Sequence, residues 1–227
     1  VQGGTKINEN VTNILSNSIY FKDLKPYIVH RIDKDTSGIL IIAKNRETAQ
    51  QLTSLFRIRK IHKSYLALSF GEIDKEKNIL DNNLIRYEGK KKILERAITH
   101  YETLDKNNKY TFFKLKPITG RKHQIRKHLT DIGYPIVGDN KYFFKKQSKN
   151  KNLMLHAYEI KFMLNNKDAI TNAVSCVSKT SINGLPTSQF KRQFITTAFA
   201  VMFKHNTAKA REFITKMLTG TKDRKCP

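Results

Sequence analysis

Three short segments carry side chains that could do chemistry. In His30-Arg31-Ile32-Asp33-Lys34-Asp35-Thr36-Ser37-Gly38, two carboxylates stand two residues apart behind an imidazole and a guanidinium. An ionised carboxylate in a partly dry cleft can attack an electrophilic carbon, stabilise positive charge or help move a proton. Burial opposes ionisation there and a nearby guanidinium favours it. The same composition also suits a plain turn, because Asp, Thr, Ser and Gly all favour turns. In Lys63-Ser64-Tyr65-Leu66-Ala67, Tyr65 could stack on a planar ligand, although a lone strand tyrosine commonly serves packing. In the third segment, 117–128, Arg121, Lys122, His123, Arg126 and Lys127 crowd a helix start. Free N–H groups and the helix dipole attract phosphate at such a place. A solvated basic face is the alternative, but Arg126 follows Ile125 of the apolar stripe and need not point outward.

These segments need positioning elements. Asn10 could cap a short helix bearing Val11, Ile14 and Leu15. Ile39 to Ala43 is a continuous apolar run and predicts a buried strand after the Asp33 turn. Ala49, Leu52, Leu55 and Phe56 recur at helical spacing, which predicts a helix over 46–58. Tyr65 to Phe70 reads as a strand closed by Gly71. Residues 72–95 are charged and weakly periodic and read as a loop or small excursion. Ala97 to Leu104 and Tyr110 to Leu115 form a hairpin pattern around a polar turn. Thr119 is the expected cap of a helix over 121–132, buried through Ile125, Leu129 and Ile132 and ended by Gly133. Met154 to Leu164 reads as a last strand. Strands dominate and hairpin connections recur, which predicts an α+β domain on a mixed or antiparallel sheet. Beyond 164 the composition changes. Residues 165–187 are rich in Asn, Ser and Thr, and a basic helical pattern covers 188–218. The expected organisation is one α+β domain over 1–164 and a basic tail with a helix over 165–227.

The 227 residues hold 43 Lys+Arg against 19 Asp+Glu, a formal charge of +24. Such a surface attracts polyanions, and nucleic acid leads because the basic residues run along the whole chain. A general preference for Lys and Asn in the source proteome is the bland alternative. At 39% hydrophobic the chain can bury a core. Two cysteines, Cys176 and Cys226, have no metal-ligand spacing and fit a reducing cytosol. No apolar run reaches the ~20 residues that span a bilayer, so no membrane partner is expected. The Val1-Gln2-Gly3-Gly4 opening suggests an N-terminally truncated domain.

Four motifs then show a resemblance. VHRIDKDTSGILIIAKN (29–45) looks like the signature of the RluA-like pseudouridine synthases. KPITGRKHQIRKHL (116–129), GYPIVGDNKY (133–142) and LMLHAYEIKF (153–162) look like that family's later motifs, in the same order. The resemblance runs over residues 1–162. It implies the family's α+β catalytic fold, a mixed sheet with a central RNA-binding cleft, and an enzyme that isomerises uridine. It implies Asp33 as the catalytic aspartate, Tyr65 as the ring that packs on the target base, and Arg126 as the arginine that pairs with the aspartate. Arg31 matches a residue that fills the gap left by a flipped nucleotide. Arg121, Lys122, His123 and Lys127 are the further expected RNA contacts. Asp35 ranks second as an acid and is expected to hold the turn. The opening residues and the Lys34-Asp35-Thr36 context are similar to members acting on 23S ribosomal RNA. The implied protein is a cytoplasmic monomer without cofactor or metal. The family's first strand and its small N-terminal RNA-binding domain have no counterpart in the sequence given.

Three rivals are weighed against this. An RNA-binding remnant that has lost turnover would keep the charge and the motifs. An aspartyl phosphatase could use Asp33-Lys34-Asp35-Thr36, but His30 and Arg31 interrupt the apolar strand that such a motif needs. An aspartic protease could use Asp35-Thr36-Ser37-Gly38, but Ser37 and the +24 charge count against it.

Overall fold

The computed structural model describes residues 11–17, 21, 24–143, 152–164 and 167–172. Helix α1 (Val11–Ser16) comes first, and its expected cap Asn10 lies outside the described residues, as do the tail pattern of 188–218 and both cysteines. The sheet is built from alternation in its middle strands. β4 (His62–Phe70) and β7 (Tyr110–Pro117) are buried on both faces over Leu66–Ser69 and Tyr110–Phe113. They pair antiparallel, with Tyr65 opposite Leu115 and Leu68 opposite Phe112. Phe112 and Phe113 are 0% exposed, and burying each such ring contributes about 1.5–3 kcal/mol.

β4 pairs on its other edge with β8 (Leu155–Leu164), and β7 pairs with β6 (Lys91–Lys106), which pairs with β5 (Lys77–Glu88). β2 (Ser37–Gly38) joins β8 in parallel, and β9 (Lys167–Asn172) joins it antiparallel, making a seven-stranded mixed sheet. Helix α3 (Gln124–Asp131) packs Ile125 and Leu129 into the core of this sheet. A second, smaller cluster joins Val29, Ala43, Ile61 and Ile160 to Ala49 and Leu52 of helix α2 (Arg46–Arg57). Asn45 caps α2, its side chain accepting from the Thr48 N–H at 2.8 Å. The α+β class and the mixed sheet are as the sequence implied.

Four local expectations change. The apolar run 39–43 is not one strand. Ser37–Gly38 pairs with β8, whereas β3 (Ile42–Ala43) pairs with β1 (Tyr27–Ile28) in a separate two-stranded sheet. Gly38 divides them: its φ is +108°, and a Cβ there would collide with the Ala157 backbone. Within the expected loop of 72–95, residues 77–88 and 91–95 are instead strand, the greater part of a long β5–β6 ribbon. β5 buries only Leu84 along its length, so no buried face imposes an alternating pattern. Helix α3 starts at Gln124, three residues later than expected, and His123 rather than Thr119 is its N-cap. The Thr119 hydroxyl instead accepts from the Ile98 N–H at 2.9 Å and donates to Gln124 Oε1 at 2.7 Å. Finally, β9 carries the sheet past residue 164, where the change in composition had suggested a boundary.

Candidate active site

The Asp33 turn is shaped by its backbone. The Thr36 N–H donates to the Asp33 carbonyl at 3.1 Å, and Asp35 takes a left-handed φ of 69°. His30 anchors the turn from below. Its ring stacks on Phe56 at 4.7 Å, and Nε2 accepts from the Ile41 N–H at 2.8 Å. Burial, and then the charge of Lys63, push the His30 imidazole down to about 4, so at neutral pH it is an uncharged strut and a competent acceptor.

Opposite this turn, Tyr65 projects from β4 just after a register shift against β8. Bulges of this kind re-aim side chains beside functional sites. Lys63 and Tyr65 lie two apart on the strand and both line the same cleft. Burial, and then the Asp33 carboxylate, push the Tyr65 hydroxyl up to about 12. That phenol therefore stays protonated near neutrality and offers a ring and an O–H rather than a base. Burial and the neighbouring Arg59 lower the Lys63 ammonium.

The cleft holds about 690 Å³ and takes its walls from the Asp33 turn, the end of α2, β4 and the approach to α3. Seven Lys or Arg side chains line it, and among its described lining residues Asp33 is the one carboxylate. Low-dielectric walls of one sign focus a field that attracts a polyanion, and that field surrounds one anionic side chain on the cleft wall.

The expected residues divide in two. Asp33, Tyr65, Arg31, Arg121, Lys122 and His123 all line the cleft. Arg126 and Lys127 do not. The Lys127 ammonium donates to the Ile85 carbonyl at 2.7 Å, bracing the β5–β6 ribbon. Arg121 does likewise while lining the cleft, with its Nε on the Arg96 carbonyl at 3.1 Å and Nη1 3.3 Å from Glu95. Arg126 corrects the expected pairing. Its Nε and Nη2 fork onto the two oxygens of Asp139, both at 2.7 Å, and both residues are buried. Asp33 acts on Arg126 only through space, favouring its charged form. The Arg126 fork and the backbone N–H groups of Lys141 and Tyr142 hold the Asp139 carboxyl below the usual carboxylate range, against the effect of burial.

His123 approaches Asp33, its Nε2 3.9 Å from Oδ1. Its Nδ1 meets the Tyr142 hydroxyl at 2.6 Å. His123 sits at a left-handed φ of 54°, a conformation that costs energy for a residue with a Cβ and that clusters at functional sites. Sequence reasoning treated His123 as an RNA contact and did not single out Lys63, Asp139 or Tyr142. Lys63 was findable from its spacing of two from Tyr65. Asp139 and Tyr142 were not, because their partners are distant in sequence. Among the described residues no group of three or more His, Cys, Asp or Glu could hold a metal ion, and no helix is long and apolar enough to cross a membrane.

Comparison with known proteins fits this geometry. The family model for RNA pseudouridylate synthase matches residues 1–131, more than half of the 227 residues. Ribosomal large subunit pseudouridine synthase C of Buchnera aphidicola is 40% identical over 162 residues, covering 61% of this chain and 50% of that protein. An uncharacterized RNA pseudouridine synthase of Zymomonas mobilis is 37% identical over 155 residues, covering 64% of this chain and 71% of that protein. The chain thus spans half the length of the first relative and more of the second. Among solved structures, human RNA pseudouridylate synthase domain containing 1 superposes with a TM-score of 0.59 at 26% identity, covering 65% of this chain and 68% of that one. With a model matching over half its length and a solved domain that superposes on it, the chain belongs to the RNA pseudouridylate synthase family.

Proposed function

We propose that this protein isomerises specific uridines of large-subunit, 23S-type ribosomal RNA to pseudouridine, with Asp33 as the catalytic carboxylate. The observation that carries the reading is that, among the described residues lining the cleft, Asp33 is the one carboxylate beside seven Lys and Arg side chains, with Tyr65 lining the same cleft and sensing its charge. The reaction breaks the N1–C1′ bond, turns the uracil and rejoins it through C5, with the C5 proton passing to solvent and N1 taking a proton in its place. Atoms and electrons balance without a cofactor. Two steps suit Asp33: attack on C1′, or stabilising charge there while the C2′ proton moves. Both require the ionised form.

The target base must leave its stack, which costs a few kcal/mol. Stacking on Tyr65 returns about 1–3 kcal/mol, and the ring also shields the reacting carbon from water. Arg31, Lys122 and Lys63 neutralise phosphates and fix register. Arg126 acts from behind the cleft, holding the start of α3 through Asp139. The ribosomal target draws support from the relatives' names. A monomer working in the cytoplasm is the simplest form of the proposal.

The test uses ribosomal RNA carrying 5-tritiated uridine. Tritium release by the wild-type chain, lost in Asp33→Asn, is the expected result. A folded chain that binds the RNA yet releases nothing would instead identify a binding protein without turnover. Mapping pseudouridines with and without the gene then gives the positions modified.

A further inference from the structure

The pairing of Arg126 with Asp139 leaves Asp33 without a bonded cation, and His123 occupies the place where one was expected. We propose that His123 is a positioning residue for Asp33: its Nδ1 accepts from the Tyr142 hydroxyl, and its Nε2–H is presented to the Asp33 carboxylate. The inference rests on the uridine isomerase reading for its catalytic consequence, although the contact itself does not.

Three observations converge. The two ring nitrogens face different partners, Tyr142 at 2.6 Å and Asp33 at 3.9 Å. The left-handed backbone at His123 swings the residue out of α3 and into the cleft wall. Tyr142 is itself fixed, with its backbone N–H on Asp139 and its ring under the Arg126 guanidinium at 5.2 Å. Burial holds the Tyr142 phenol above its ordinary range, so it keeps the proton that it donates. A phenol donating to Nδ1 fixes the imidazole as the Nε2–H tautomer, the form that can donate to a carboxylate.

In this arrangement the donor facing Asp33 is uncharged. A neutral N–H orients the carboxylate without cancelling its charge. The groups facing His123 are Asp33 from the turn, Lys122 and Arg126 from α3 and its approach, and Lys141 and Tyr142 from the segment after α3. Burial is the largest influence and favours the neutral ring. The three cations act in the same direction, and Asp33 alone favours the imidazolium. His123 therefore titrates below the ordinary imidazole range. Once protonated it forms an ion pair with Asp33, which ties up the attacking lone pair and gives turnover an acid limb.

The test has two arms on the full chain. In the first, NMR of 15N-labelled histidine follows the His123 tautomer and titration. The expected result is the Nε2–H tautomer at neutral pH, a titration that moves down in Asp33→Asn, and an admixture of the Nδ1–H tautomer in Tyr142→Phe. A titration identical in wild type and Asp33→Asn overturns the proposal. In the second, tritium release is followed across pH 5 to 8. His123→Ala should lower kcat about 3- to 10-fold, below the scale of a full hydrogen bond to a charged group because the contact is 3.9 Å long, with KM nearly unchanged. His123→Gln should recover part of kcat and lose the acid limb. A rise in KM with kcat intact would make His123 a phosphate contact and overturn the positioning role. No release from the wild type would sink the isomerase reading, while the NMR arm would still decide the contact.

Discussion

Asp33 and Asp139 both act on the Arg126 guanidinium, yet the surroundings of the two carboxylates differ throughout. The Asp139 side chain is 0% exposed. Its oxygens take two guanidinium N–H groups and the backbone N–H groups of Lys141 and Tyr142. The Asp33 side chain is 26% exposed, and the His123 imidazole lies 3.9 Å away. A carboxylate whose lone pairs are all engaged is a structural clamp. One with free lone pairs inside a cationic cleft can do chemistry. The difference teaches that charge type and nearness to an arginine do not assign the role, whereas the state of the hydrogen-bonding capacity does.

The comparison is most sharply tested at Asp33. Asp33→Asn keeps the shape and removes the charge, so tritium release should fall by about 10²–10³-fold or more, the scale set by losing one transition-state charge contact. Its thermal unfolding should stay close to wild type. A variant retaining most of its turnover would break the contrast. Stability should respond at the other carboxylate. Asp139→Ala or Arg126→Ala leaves a buried, unpaired charge and should cost about 3–5 kcal/mol in denaturant unfolding. The paired replacement Arg126→Met with Asp139→Leu should recover much of that loss, because neither charge then remains buried.

Tyr65 gives a smaller effect. Tyr65→Ala should lose about 1–3 kcal/mol of transition-state binding through lost stacking, read as kcat/KM. Tyr65→Phe should keep most activity, since a phenol pushed up to about 12 is not the working base. The smallest effect, per pH unit, lies in acid unfolding. His128 is 0% exposed, and burial pushes it down to about 4 from 6.5. Its folded value is depressed, so its contribution is complete above pH 6.5 and declines as pH falls toward 4, by about 1.4 kcal/mol per unit. His30 acts in the same direction. Asp139, also depressed, adds a second loss at lower pH as its carboxylate takes a proton. Urea midpoints measured from pH 7 to pH 3 should show both stages, and Asp139→Asn should remove the lower one.

How much was legible beforehand follows from how local each feature is. The α2 stripe of Ala49 and Leu52, the strand through Tyr65 and the Gly133 stop each depend on neighbours within a turn or two, and each lies where the pattern placed it. β5 and the first residues of β6 were invisible because strand segments exposed on both faces have no apolar alternation to show. The run 39–43 misled because its apolar residues serve two different sheets. Within the site, Asp33, Tyr65, Arg31, Arg121, Lys122 and His123 were all named from motif and charge, and all line the cleft. The partner of Arg126 was not readable, since Asp139 lies thirteen positions further along the chain, beyond the end of α3.

By itself, then, the sequence determined the chemistry available: a polyanion-seeking surface, a carboxylate in a turn, an aromatic on a strand and a cationic helix start. Composition and short-range periodicity are properties of the chain and need no fold to exist. Only the tertiary structure decided which charge meets which. The approach of α3 to Asp139 claimed the Arg126 guanidinium, and the left-handed turn at His123 brought an imidazole to Asp33 instead. Pairing between charges falls off within a few ångströms, so it is settled by packing geometry that no local pattern encodes.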